Sequence, residues 1–497
     1  MNRFGSGLNT TRTQKVETGC DHRAASEAIA QAAIQSVDPT SMITRSLLLE
    51  ESVLQIQTAT GSYTVDLADY ERVIVVGAGK AGAAMARGLE SVLGDWISEG
   101  VVAVKSGFAG ASTGAGARAG VGVGVHAGAG VERTVRERNV PRKIRLLEAG
   151  HPVPDASSVA AAREVAKLAE SADAHTLCFA LISGGGSALL TLPAAHGSLR
   201  LTLEDIQTTT RLLLRAGTPI GEINCVRKHL SGISGGRFCE MVAPASLVAL
   251  ILSDVVGDHL GSIASGLTAP DEGTYEDACR ICRRYGIEEQ LPSRVREMLT
   301  GGVRGDLPET PKPGDPVFER VHPFILGSNA VALDAARQRA EELGYNTLVL
   351  TSRITGEARE VARVFAAIAA DLAVREIPLR KPACVLAGGE TTVTIQGDGK
   401  GGRNQEMALA FLEQIALCPE AFPGVGFLSV GTDGNDGPTD AAGAWATPEL
   451  AEGSSPQEIS EALHANDSYH FFKALGGLLI TGPTETNVCD IQILLVE

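Results

Sequence analysis

Residues 72–82 read RVIVVGAGKAG, and residues 177–190 read LCFALISGGGSALL. In each, a short β-branched or apolar run stops abruptly in glycine or serine, and a helical pattern follows. LVALILSDVVGD (247–258), FILGSNAVALDAA (324–336), CVLAGGET (384–391) and GFLSVGTDGNDG (426–437) repeat the theme. Runs without polar alternation, interleaved with helices, predict an α/β fold whose parallel strands are buried on both faces. In such sheets the ligand crevice lies at the carboxyl ends of the strands, where these polar tips converge.

Outward from these strands the chain divides. Helical spacing runs from Ala24 to about Leu49, broken at Asp38-Pro39, and a polar strand pair spans roughly Leu54 to Val65. Residues 107–130 hold nine Gly and seven Ala, a composition that predicts a flexible surface insertion without ligand groups. GGVRGDLPETPKPGDPVF (301–318) reads as a linker. The expected organisation is a disordered extension at 1–20, a first α/β domain over 21–300 and a smaller one over 319–497.

Composition narrows the function. The 497 residues carry 59 acidic against 43 basic side chains, a net charge of −16. With no Lys/Arg cluster, a nucleic-acid or anionic-membrane partner is disfavoured. No run approaches the ~20 apolar residues of a membrane span, and the first residues lack an apolar signal core. Nine cysteines without regular spacing form no disulfide framework, and the lone CxxC of Cys279 and Cys282 lacks a second ligand pair for zinc. A reducing, cytoplasmic setting is expected.

Gly77, Gly79 and Gly82 stand in a GxGxxG frame between strand and helix, as in dinucleotide-binding turns. Two features oppose that reading. Lys105 occupies the strand tip where an acidic ribose ligand belongs, and Lys80 lies inside the turn, where a cation needs an intervening anion. Ser183, Gly184, Gly185, Gly186 and Ser187 present a second row of backbone donors suited to phosphate. There is no GxxxxGKS, GxxxxGKT or HExxH, and the Ser183–Ser187 turn lacks the GxSxG frame. Asp254, Asp258, Asp433 and Asp436 follow apolar strands, where each can hold Mg²⁺, accept a proton or cap a helix. Glu390 ends another such strand. Arg403, after the glycine hairpin GDGKGGRNQE, offers a planar fork for a phosphoryl group or a carboxylate. Arg227 and Lys228 are candidate carboxylate ligands, and His151 in GHPVPD reads as a hydrogen-bonded turn residue.

GAGKAG, GHPVPD, LISGGGSALL, NCVRKHLS, LILSDVVGD, ILGSN, AGGETTV, GGRNQEMAL, GTDGNDGPTDAAGAW, NDSYHFF and TGPTETNV occur in this order from about Ala24 onward. The series resembles the class II glycerate kinases. That resemblance implies a Rossmann-like amino-terminal domain, a smaller MOFRL-type carboxyl-terminal domain and an active site in the cleft between them. It implies ATP and Mg²⁺ as cofactors and transfer of the γ-phosphate to the 2-hydroxyl of D-glycerate. Lys80 and Arg403 match the family's essential lysine and arginine. The remaining assignments are Asp254 to the hydroxyl, Ser183–Ser187 and Asn329 to the nucleotide, Arg227 or Lys228 to the glycerate carboxylate, and Asp433 and Asp436 to the metal. Small molecules are the expected partners, and a homodimer is compatible with this reading.

Two rivals stand beside it. An NAD(P)-dependent hydroxypyruvate reductase would use the GxGxxG turn and a similar three-carbon substrate. A non-catalytic sugar-phosphate-binding regulator would bind without turnover, although no DNA-binding helix or basic face supports it.

Overall fold

The computed structural model describes residues 22–58, 61–107 and 141–497. The expected extension at 1–20 and, beyond Gly107, the Gly/Ala segment lie outside them. Helices His22–Ser36 and Pro39–Ser46 come first, the second opened by Pro39 and capped by Asp38, whose side chain accepts from Ser41 N. Leu47–Leu49, expected as helix, instead begin an antiparallel sheet of β1 (Leu47–Glu50), β2 (Val53–Thr58) and β3 (Gly61–Asp66). Three consecutive leucines fit either period, and pairing with β2 decides for strand.

The main sheet holds β4 (Arg72–Ala78), β5 (Ile97–Lys105), β6 (Ile144–Ala149), β7 (Thr176–Ile182), β10 (Ser246–Leu252) and β11 (Val321–Gly327). A small ribbon of β8 (Ala195–His196) and β9 (Leu199–Arg200) stands apart. All six main strands are parallel, in the order β6-β5-β4-β7-β10-β11. Counted among themselves this is 3-2-1-4-5-6, the doubly wound order, and it reverses between β4 and β7. β7 shows why the run reads as continuously apolar. Leu177, Phe179 and Leu181 pack into the core on the face carrying helix Gly82–Leu93, and Cys178, Ala180 and Ile182 pack against helix Ala156–Glu170 on the other. Each fully buried Leu or Phe contributes about 1.5–3 kcal/mol, so both faces select against polar residues.

A helical layer of Leu203–Arg215, Ile220–His229, Tyr275–Arg284 and Ser293–Val303 closes around Tyr275 and Met298. Cys279 and Cys282 are buried in this layer, where burial pushes both thiols up, Cys282 to about 12. The CxxC is apolar packing.

The second sheet is mixed, in the order β12-β13-β17-β14-β15-β16. Its strands are β12 (Asn346–Ile354), β13 (Ala383–Gly389), β14 (Val425–Gly431), β15 (Gly443–Ala446), β16 (Leu478–Leu479) and β17 (Asp490–Val496). β17 runs antiparallel between β13 and β14, so Asp490 at its start pairs in register with both Gly389 and Gly431. The units do not divide at the expected linker. β11 lies beyond the expected linker yet completes the first sheet, while helix His22–Ser36 packs on helix Asn329–Glu342, β14 and β17. The sheet boundary therefore follows Gly327, not residue 318. The expected linker is itself tied down: residues 301–303 finish a helix, and the buried Thr310 hydroxyl donates to Asp271 Oδ2 at 3.2 Å.

Candidate active site

The turns after β4 and β7 meet at the point where the sheet order reverses. Lys80 N donates to Gly184 O (2.9 Å), Ser183 N to Ala78 O (3.0 Å) and Ala81 N to Ser183 Oγ (3.1 Å). Glycine is required for this contact. A Cβ on Gly79 would stand 1.9 Å from Ser183 Oγ, and one on Gly77 would stand 2.3 Å from Leu181 O. The dinucleotide-like glycines thus serve the close packing of this turn against the neighbouring strand and turn.

The second glycine row is walled by chemistry. A Cβ at Gly184 would meet Asp254 Oδ2 at 2.0 Å, and one at Gly185 would meet His151 Cδ2 at 2.9 Å and Lys80 Cγ at 3.4 Å. The amides of Gly184 and Gly185 find no acceptor among the described residues. Lys80, Lys105, His151, Ser183 and Gly184 line a cavity of about 130 Å³, closed from the second unit by Asp433, Asn435, Glu485, Thr486 and Asn487. Burial, then the charges of Lys80 and Lys105, bring the His151 pKa to about 4, so its imidazole is neutral at pH 7. Burial raises the Asp254 carboxyl, and Lys80 pulls it back.

A neighbouring cluster is built by β13, β17 and helix Arg403–Leu417. Arg403 donates from Nε to Asp490 Oδ2 (2.6 Å) and from Nη2 to Asp490 Oδ1 (2.9 Å), while Nη1 reaches Glu390 Oε1 at 2.9 Å. Burial disfavours the charged guanidinium, but the Asp490 hydrogen bonds and the charges of Asp490 and Glu390 outweigh it and raise the Arg403 pKa. Cys489 joins the two clusters: its thiol donates to Asp254 O at 3.1 Å and lies 4.0 Å from Glu390 Oε2. Its φ of +69° is in the left-handed region, a conformation costing about 1–3 kcal/mol for such a residue. Lys80 and Arg403 are therefore linked through Gly184, Asp254, Cys489 and Glu390.

Residues 25–300 match the family described as domain of unknown function DUF4147, and residues 383–490 match the MOFRL family. The D-glycerate 2-kinase of Thermotoga maritima is 39% identical over 440 residues, covering 87% of this chain and 93% of that protein. The glycerate 2-kinase of Pyrococcus horikoshii is 38% identical over 433 residues, covering 86% of this chain and 87% of that protein. The crystal structure of Thermotoga maritima glycerate kinase matches with a TM-score of 0.77 at 36% identity, covering 96% of this chain and 99% of that one. The chain belongs to the class II glycerate kinases.

Within this glycerate kinase family member, three expected site residues serve the scaffold. Asp436, expected as a metal ligand, is 2% exposed, and its carboxylate accepts from Asn404 N (3.1 Å) and Gln405 N (2.8 Å), capping helix Arg403–Leu417. Burial lifts its pKa to about 6, and those same amides oppose the shift. Lys228, expected at the substrate, is buried against Asp271 Oδ1 at 3.3 Å. Asn329, expected at the nucleotide, donates from Nδ2 to Val488 O (2.8 Å) and Asp490 O (2.9 Å), pinning the start of β17. Ser187 also turns away from the Lys80 cavity, sharing a 2.7 Å hydrogen bond with Ser265 beside Arg227. The reading of the sequence missed Asp490 and Cys489. The sequence marks Asp490 only as an acid opening the apolar run DIQILLV, which does not tell what it faces.

Proposed function

We propose that the chain transfers the γ-phosphoryl group of ATP to the 2-hydroxyl of D-glycerate, giving 2-phosphoglycerate and ADP. One observation carries the reading: a lysine beside two free amides, tied through Gly184, Asp254, Cys489 and Glu390 to an arginine fork. Phosphoryl transfer asks the protein mainly for in-line positioning and charge neutralisation. Lys80 with Gly184 N and Gly185 N neutralises the transferring oxygens from one side, and Arg403 does so from the other. As the new O–P bond forms and the bond to ADP breaks, Asp254 takes the hydroxyl proton. Neutral His151 keeps a third positive charge away from Lys80 and Lys105.

Arg227 suits the glycerate carboxylate. It is half-buried, meets no carboxylate among the described residues, and lines a small cavity with Ser187, Ser231, Ser234 and Ser265. Burial lowers its pKa, and a bound anion would offset the cost of that unpaired charge.

No cluster of three or more His, Cys, Asp or Glu among the described residues could hold a metal alone. Mg²⁺ needs only one or two carboxylates when phosphate oxygens complete its shell. Half-buried Asp433, held by Asn435 N at 3.0 Å, fits that part. Bound there, Mg²⁺ would screen the charge of the donor phosphates. The same reading keeps a cytoplasmic setting and small-molecule partners; the eight described cysteines are free thiols, and no described helix is long and apolar enough to cross a membrane.

Phosphorus NMR of a reaction with D-glycerate, ATP and Mg²⁺ tests this, with a 2-phosphoglycerate signal expected. A 3-phosphoglycerate signal would overturn the regiochemistry, and no phosphorylated product from folded protein would overturn the kinase. No NADH oxidation with hydroxypyruvate is expected.

A further inference from the structure

Glu390 and Arg403 face a second cavity, of about 560 Å³, whose lining shares no residue with the Lys80 cavity. Its volume falls in the range of small-ligand sites, about 300–1,000 Å³. Val393, Ile395 and Pro438 give it aliphatic walls, and Ile395 is 79% exposed, so packing of the core does not account for it. The buried polar groups of the wall are mostly satisfied. Glu406, for example, accepts from Arg359 Nε at 2.5 Å and from Asn466 Nδ2 at 3.0 Å.

Thr391 is the exception. It lines the cavity at 3% exposure, and its Oγ1 has no hydrogen-bond partner among the described residues. A buried hydroxyl left unpaired costs free energy, so one kept at a cavity wall points to a ligand. At the inner end, the buried Asp490 fixes Nε and Nη2 of Arg403, whereas Nη1 is held, among the described residues, only by Glu390, whose side chain is 46% exposed. That edge of the guanidinium is exchangeable for a phosphate oxygen.

We propose that this cavity takes the base and ribose of the phosphoryl donor, a purine nucleoside triphosphate. The base lies between the aliphatic walls, the nucleoside satisfies Thr391 Oγ1, and the phosphates pass Arg403 in place of Glu390 toward Lys80 and Gly184. The inference rests on the kinase reading and deepens it.

The test is ADP binding by calorimetry on the full chain, with steady-state KM values, for wild type, Thr391→Val and Ile395→Glu. Loss of one neutral hydrogen bond predicts an ADP Kd and ATP KM about 3–10-fold higher in Thr391→Val, with the glycerate KM unchanged. Its melting temperature without ligand should equal or exceed wild type, because the orphan hydroxyl is gone. A fall in melting temperature with unchanged ADP affinity would make Thr391 structural and overturn the assignment. Ile395→Glu sets a carboxylate in the apolar wall that holds the base and predicts a loss of about tenfold or more in ADP affinity. ADP binding by wild type with both variants unchanged would overturn the site and leave the kinase standing. No adenine-nucleotide binding by wild type would overturn both.

Discussion

Arg403 is useful because its three nitrogens are divided between two tasks. Nε and Nη2 are spent on a buried carboxylate, Asp490, which fixes the plane of the fork, and Nη1 pairs with the half-exposed Glu390, from which the proposed transfer would take it. A lysine at this position keeps the charge but cannot make the bidentate pair. Arg403→Lys should lower kcat by about 10²-fold or more, and near-normal kcat would remove Arg403 from the site. Arg403→Ala should also destabilise the fold by about 3–5 kcal/mol, because Asp490 would remain buried and unpaired; denaturant unfolding measures this. His151 carries a pH signature. The unfolded chain binds the imidazole proton below about pH 6.5, while the folded chain resists until about pH 4. Between those values the unfolded state binds more protons, so stability falls as pH is lowered from 6.5 through 4. An NMR titration should place His151 near 4, and His151→Gln should lose that part of the pH dependence.

The strand–turn–helix elements separate two uses of glycine that look alike in one dimension. Gly79→Ala drives a Cβ into Ser183 at a φ of +149° and should cost about 1–3 kcal/mol in unfolding free energy. Gly184→Ala presses on Asp254 instead. It should cost about 10²-fold in turnover through displaced geometry, with a smaller loss in melting temperature. The parallel strands, their polar tips and Lys80 were legible because apolar runs and glycine turns are local features. Asp490 was not, because the apolar run DIQILLV reads as a buried strand whichever way its neighbours point. Only the pairing of residues 490–496 with 383–389 and 425–431 sets an acid at an amino end beside two carboxyl ends. Asp436 shows the same limit. Metal ligand and helix cap differ only in whether the amides of Asn404 and Gln405, about thirty residues earlier, stand in front of it.

At the scale of the molecule, the two sheets follow one another in the chain, over 72–327 and 346–496, but helix His22–Ser36 precedes the first and packs on the second. One apolar core runs from β4 and β7 through helix Asn329–Glu342 to β14 and β17. Chemical denaturation should therefore show one cooperative transition by both fluorescence and circular dichroism; two separated transitions would show independent units. A fragment of residues 319–497 should fail to fold, since it lacks helix His22–Ser36 and carries β11 without its sheet. The position of β17 also has a consequence for biosynthesis. β13 and β14 leave the ribosome about 100 and 60 residues ahead of the strand that must lie between them. Until it arrives, the nascent chain holds a slot with two unpaired apolar edges, a template for mispairing and for chaperone capture. Because Asp490 is delivered by that same strand, Arg403 gains its buried counterion only when the slot is filled, so assembly of the arginine fork and closure of the sheet are one event.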